Sequence, residues 1–283
     1  EQTAAIERIS PTLRTLRHAD GGLARFHGGG RGVEGRLDSA LVANEVKTRH
    51  ANGLSMGFAR LSAGRSSLIV DASRPPRDAA SSNAHASTLA FELTSGRRPL
   101  IVNCGSGASF GAEWRKAGRA TPSHSTLVLN AQSSSLLGQG AQKKEWLIST
   151  PTEVPIELSH TSDGITFEGG HDGYRDLFGL THVRKLDMAF DGRGLAGEDL
   201  VLTIDEASKR KFEKVMNVTK LKGLVYEIRF HLHPDVDASL DMSATAVSMA
   251  LKSGEIWIFR ADTSTTLSLE PSVYLEKNRL KPR

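Results

Sequence analysis

Apolar residues recur along this chain with two different periods, and the change of period divides it. In residues 4–18, Ile6, Ile9, Leu13 and Leu16 fall three or four apart, the stripe of an amphipathic helix, with Pro11 a weak point in its middle. Asp20-Gly-Gly ends that helix, Leu23–His27 reads as a short strand, and residues 34–45 read as a second short helix. From Leu54 onward the pattern alternates, with turn residues every eight to twelve positions or so, as in a sandwich or barrel. Gly57–Leu61 and Ser67–Asp71 make a hairpin across Ala63-Gly64, and Arg74-Pro-Pro-Arg77 breaks it. In the central hairpin Leu89, Phe91 and Leu93 alternate with Ala90, Glu92 and Thr94, the chain turns at Ser95-Gly96, and Pro99–Val102 returns. Further strands are predicted at 126–130, 145–149, 154–159, 165–168, 180–190, 199–204, 225–232, 246–251, 255–260 and 265–270. Residues 104–123 read as a long loop, and 206–216 as a charged connection between strands. The predicted fold is all-β: a large antiparallel two-sheet β-sandwich preceded by short N-terminal helices.

Composition changes this picture little. Hydrophobic content of 39% and charged content of 24% describe an ordinary globular chain. The net charge of +4 admits an anionic partner, but the best basic cluster, Lys209-Arg-Lys211, has no interleaved aromatics, which argues against nucleic acid. No apolar run reaches the ~20 residues of a membrane span. The single cysteine, Cys104, excludes an internal disulfide, and with no base indicated beside it reads as a packed small residue. Gly28-Gly-Gly-Arg-Gly32 lacks the Lys-Ser/Thr of a phosphate loop and reads as a turn.

Polar groups gather at strand ends. If the central strand runs backwards in extended form, His85 and Asn83 share a face with Leu89, Phe91 and Leu93. The return strand ends in Asn103, and His124 precedes another apolar run, so imidazole and amide groups collect at one end of a β scaffold. Arg115, Lys116 and Arg119 sit in the loop after Cys104, where a guanidinium could pair with a carboxylate or sulfate, or simply remain solvated. His231 and His233 lie two apart on one strand and read as structural; His160 and His182 have no partner visible in sequence.

An ordered series of short motifs then emerges: Phe26-His-Gly-Gly-Gly, Ser55-Met-Gly-Phe-Ala-Arg-Leu, Ala84-His-Ala-Ser-Thr-Leu-Ala-Phe-Glu-Leu, Arg98-Pro-Leu-Ile-Val-Asn-Cys-Gly and Arg119-Ala-Thr-Pro-Ser-His-Ser-Thr-Leu. Gly170-His-Asp-Gly-Tyr, Thr181-His-Val-Arg, Gly197-Glu-Asp, Arg229-Phe-His-Leu-His-Pro and Glu270-Pro-Ser-Val-Tyr continue it. The series resembles the C-terminal β-sandwich half of heparinase II/III-like polysaccharide lyases. That resemblance implies residues 1–50 as a helical lead-in from an N-terminal α/α toroid, residues 51–283 as the sandwich, and the chain as part of a longer enzyme exported to the periplasm or cell envelope. Such enzymes cut acidic, uronic-acid-containing polysaccharides by β-elimination, with a catalytic tyrosine on the toroid. The resemblance also implies a zinc site at His85, Asn103 and His124, with Asn103 standing where the family usually has Asp; a metal-free hydrogen-bonded cluster is the alternative. Asn83 stands where many relatives carry a substrate-facing histidine. An amide cannot serve as a base near neutral pH, but it can donate to a sugar carboxylate. Asn83, Arg115, Arg119, His171 and Tyr174 are the candidate substrate-binding residues, with a hydrogen-bonded structural corner the competing reading of His171 and Tyr174. The activity expected of the whole enzyme is lyase; the alternative is a glycan-binding or scaffolding sandwich that has lost catalysis.

Overall fold

A computed structural model describes residues 2–30, 32–33, 35–44, 53–138, 145–219, 223–276 and 279–282. The expected boundary near residue 50 falls outside them. The fold is an antiparallel β-sandwich with short helices. One layer is a six-stranded sheet in the spatial order Gly53–Ser55, Phe58–Ala63, Ser66–Asp71, Phe91–Ser95, Arg98–Val102, His231–Leu232. Facing it are a four-stranded sheet, Leu195–Leu202, Leu180–Ala189, Gly164–Tyr174, Ile156–His160, and a three-stranded one, Asp237–Leu240, Ala246–Ala250, Ile256–Arg260. Every pairing among these strands is antiparallel, as tight turns between consecutive strands require.

Alternation explains the core. Leu61, Leu68, Val70, Phe91 and Leu93 point inward from the six-stranded sheet to meet Phe167, Leu186 and Met188 from the four-stranded sheet and Val247 and Met249 from the three-stranded one. The strand Ser66–Asp71 is buried on both faces: Leu68 and Val70 face the sandwich, while Ile69 packs outward on Phe26 and Ala90. The covering layer is the N-terminal segment, held largely by polar ties. Arg60 donates from Nη1 to Thr15 O and Arg17 O (both 2.9 Å), and Asn44 Nδ2 donates to Ser10 Oγ (2.7 Å). The helix Gln2–Thr15 runs through Pro11, but it buries Ser10, Thr12 and Thr15 and turns Ile6 and Ile9 outward, reversing half of the predicted stripe.

Four other expectations are corrected. Leu23–His27 forms no strand beyond one bridge, Arg17 to Leu23. The loop 104–123 contains the helix Ala112–Arg119. Residues Glu206–Val218 are a helix, capped by Asp205, whose Oδ1 accepts from Ser208 N, and seated through Phe212 and Val215 on a second core of Leu127, Leu129, Tyr174, Phe178 and Leu180. Residues 265–270 form no strand: an Asp262 turn, with Thr265 N donating to Asp262 O, leads into mostly exposed chain.

Candidate functional site

The polar end of the central hairpin is built by irregular chain. Residues 79–90 are not extended: a 3-10 turn at Ala79–Ser81 and further turns precede the strand, which begins at Phe91. Asn83 therefore reaches solvent while His85 is buried. Arg119 fixes this segment. The residue is 4% exposed, and its guanidinium donates from Nε to Ala84 O (2.7 Å), from Nη2 to Ser81 O (2.6 Å) and from Nη1 to Glu145 O (2.7 Å). It is a staple of the histidine-bearing segment, not a loop charge in solvent. Arg115 stays partly exposed and donates from Nη2 to Ser82 O (2.7 Å) and Asn83 Oδ1 (3.3 Å). Arg115 and Asn83 are thus the predicted substrate-binding pair that the fold does bring together at the surface.

His85 and His124 meet directly, with Nδ1 of His85 3.0 Å from Nε2 of His124. Because Ala120 O can only accept, His124 Nδ1 carries the proton and donates to it (2.9 Å). Burial pushes His124 down to about 4, and burial with the His124, His27 and arginine charges pushes His85 well below the ordinary imidazole range. With both rings neutral, His124 Nε2 accepts from His85 Nδ1–H. His85 Nε2 is then bare and lies beside Gly28, where a Cβ would stand 3.9 Å from it.

Asn103 does not join them. Its Oδ1 accepts from Ser125 N (2.8 Å), and its Nδ2 and backbone N–H donate to Glu92 Oε1 (both 3.0 Å). The expected zinc trio therefore lacks a common centre in this geometry, since the amide is turned to Glu92 and Ser125. Among the described residues no group of three or more His, Cys, Asp or Glu is arranged to hold a metal.

Sequence reasoning missed two acid-centred groups beside the His85–His124 pair, one at Asp71 and one at Glu92. His27 Nε2 lies 3.2 Å from Asp71 Oδ2, its Nδ1 accepts the His85 N–H (3.1 Å), and Ser87 Oγ donates to the same carboxylate oxygen (2.6 Å). Burial opposes protonation of His27, but the Asp71 charge and hydrogen bond outweigh it and raise its affinity for a proton. Glu92 collects Arg25 N (3.1 Å), the two Asn103 donors and His18 Nε2 (2.9 Å). Burial alone would raise this carboxyl; the hydrogen bond and charge of His18, then Arg25 and the Asn103 N–H, bring it below its ordinary value. The signal was available: Asp71 and Glu92 are lone acids inside apolar runs, where a charge persists only with partners.

His171 and Tyr174 lie elsewhere, in a buried corner. Tyr174 Oη donates to Leu127 O (3.0 Å), and burial raises the phenol. His171 Nδ1 accepts from Gly173 N (3.1 Å), and its Nε2 faces His182 Nδ1 at 3.2 Å. Both are enclosed, the geometry of the structural corner. His231 contacts Cys104 Sγ (3.4 Å), Ser272 Oγ (2.8 Å) and Pro122 O (2.9 Å), while His233 stacks edge-on against Tyr274, so the two imidazoles serve separate contacts. Burial pushes the Cys104 thiol up to about 11, which removes it as a nucleophile at neutral pH.

This geometry coincides with clear relationships. Residues 45–283 match the sequence profile described as Heparinase II/III-like, C-terminal. FtsZ-localized protein C of Caulobacter vibrioides (strain NA1000 / CB15N) is 30% identical over 279 residues, covering 96% of this chain and 46% of that protein. Among solved structures, heparinase III superposes with a TM-score of 0.69 at 14% identity, over 99% of this chain and 45% of that one. Heparan sulfate lyase HepC of Pedobacter heparinus gives 0.69 at 14%, over 99% and 43%. This chain thus spans less than half the length of each of these relatives. No described helix is long and apolar enough to cross a membrane. With the profile covering everything from residue 45 onward, and the sandwich shared with the solved lyases, the chain belongs to the heparinase II/III-like family, as its C-terminal, polysaccharide-lyase-related domain.

Proposed function

We propose that this domain is a sandwich of lyase descent that works as an acidic-glycan-binding scaffold without elimination chemistry of its own. The observation that carries the reading is the pair of amides at the two chemical positions. Asn83 cannot take a proton, and Asn103 is held between Glu92 and Ser125 instead of facing the imidazole pair. Asn83 and Arg115 offer hydrogen-bond donors at the surface, and the Arg115 guanidinium, now 3.6 Å from the exposed Glu145 carboxylate, would exchange that partner for a glycan carboxylate or sulfate. The 30% relative is named for localisation to FtsZ and not for a lyase activity, which favours a scaffolding role in the longer protein.

A second reading, lyase activity in the full-length parent, is favoured by the His85–His124 pair, which burial keeps in the neutral form that ligates metal. Were zinc bound there, it would be held by those two rings and would neutralise negative charge beside them. The test uses full-length protein and a panel of heparan sulfate, heparin and unsulfated uronate polymers, read by calorimetric binding and by ultraviolet absorbance of unsaturated uronate. Binding that weakens at least tenfold in Arg115→Ala, with no product, is the expected result. Product from the wild type, or near-stoichiometric zinc lost in both His85→Ala and His124→Ala, selects the lyase. Neither binding nor product removes the glycan from the proposal.

A further inference from the structure

We infer that Arg184 is a positioning residue for the His85–His124 pair, acting from the opposite layer of the sandwich. Its side chain, 1% exposed, leaves the strand Leu180–Ala189 and enters the space between the sheets. There Nη1 donates to two backbone carbonyls, Leu89 O (2.8 Å) and Ser125 O (2.9 Å). One belongs to the segment that carries His85; the other is next in sequence to His124. A single nitrogen thus ties together the two stretches whose imidazoles must meet.

Leu89 shows what the tie holds. Its φ is +62°, a left-handed conformation that a branched, non-glycine residue keeps only when its surroundings enforce it. Leu89 N donates to Asp71 O (2.7 Å) and Leu89 O accepts from Arg184, so the residue is pinned at both its amide and its carbonyl. The guanidinium is aimed in turn. Nε and Nη2 grip Asp199 Oδ1 (2.8 Å) and Oδ2 (2.9 Å) as a fork, and Asp199 Oδ1 also accepts from His182 Nε2 (2.6 Å). Gly173 N fixes His171 Nδ1 as an acceptor; His171 Nε2–H therefore donates to His182 Nδ1, leaving the His182 proton on Nε2 for Asp199. Every proton in this chain has one assigned place, which keeps the fork pointing at Leu89 and Ser125. Lysine, with one ammonium, cannot reproduce a fork and two carbonyl bonds.

The test is spectroscopic and does not depend on which activity the domain serves. In 15N-labelled protein at pH 7.5, long-range proton–nitrogen correlations of the ring atoms report tautomers. The wild type should show His85 and His124 each protonated at Nδ1 alone. Arg184→Lys should lose that single-tautomer pattern at both rings, and Asp199→Asn and His182→Gln should do so to lesser degrees. This graded series leaves a folded member to read if Arg184→Lys does not fold. Val247→Ala, a core change on the separate three-stranded sheet, should lower stability while leaving both tautomers intact. Wild-type tautomers in every folded member of the series would overturn the inference, as would their loss in Val247→Ala.

Discussion

At the scale of single residues, Asn103 governs the polar end of the hairpin. In this protein its Nδ2 supplies a donor to the fully enclosed Glu92 carboxylate, while its Oδ1 takes the Ser125 N–H beside His124. Replacing it with aspartate would remove the side-chain donor and set a second negative charge against Glu92. Asn103→Asp is therefore expected to destabilise the domain by roughly 3–5 kcal/mol, as an uncompensated buried charge does, and not to create a zinc site. Urea midpoints and metal content of the purified variant measure the two halves of that statement. An unchanged midpoint together with stoichiometric zinc would mean that the introduced carboxylate turns from Glu92 towards the imidazoles. Arg119 gives a second decision of the same kind. Arg119→Met abandons two buried carbonyls, Ser81 and Ala84, and the part-buried Glu145 O, and should cost about 3–5 kcal/mol. A merely solvated loop charge would change stability by less than about 0.5 kcal/mol.

At the scale of elements, what could be read from sequence follows from how local the cause is. Strands such as Phe91–Ser95 and Arg98–Val102 announce themselves because a strict period of two and a turn at Gly96, φ +55°, are local. Alternation alone extends the first of these strands back to Asn83, eight residues before it begins at Phe91. Nothing in Ala84–Ala90 signals that Leu89 turns left-handed, since the groups that hold it come from Asp71 and from Arg184, 95 positions away. The helix Glu206–Val218 has local signals of its own: Asp205 is a good N-cap residue with Glu206 following it, and the apolar Phe212 and Val215 are spaced for one helical face. The site divides along the same line. His85, His124, Asn83 and Arg115 could be named from sequence, whereas the partnership of Asn103 with Glu92 depends on which face of a neighbouring strand the acid occupies and on the N-terminal segment lying over it.

At the scale of the whole molecule, buried neutral imidazoles spread across both layers make stability depend on pH in a predictable window. Burial lowers His124 and His231 to about 4, and pushes His85, His171 and His182 below their ordinary value as well. For each of these the unfolded chain takes up a proton near pH 6.5 while the folded chain refuses it, so their stabilisation is complete above pH 6.5 and is lost as the pH falls. For His124 or His231 alone the loss approaches something on the order of 3 kcal/mol by about pH 4. His27 has the opposite sign, because its raised affinity for protons adds stability in acid that fades as pH rises. It is one group against several. The depressed carboxyls of Glu92 and Asp199 do not oppose the trend in this window, since their contribution persists until the pH drops below the ordinary carboxylate range. Urea midpoints should therefore decline steeply between pH 6.5 and 4.5, ahead of any acid loss from carboxylates. His231→Gln, which can retain a donor to Pro122 O, should flatten part of that decline while lowering the midpoint at pH 7.5 only modestly. A midpoint constant from pH 7 to pH 5 would require these imidazoles to accept protons in the folded state, and with them charge inside the two histidine networks.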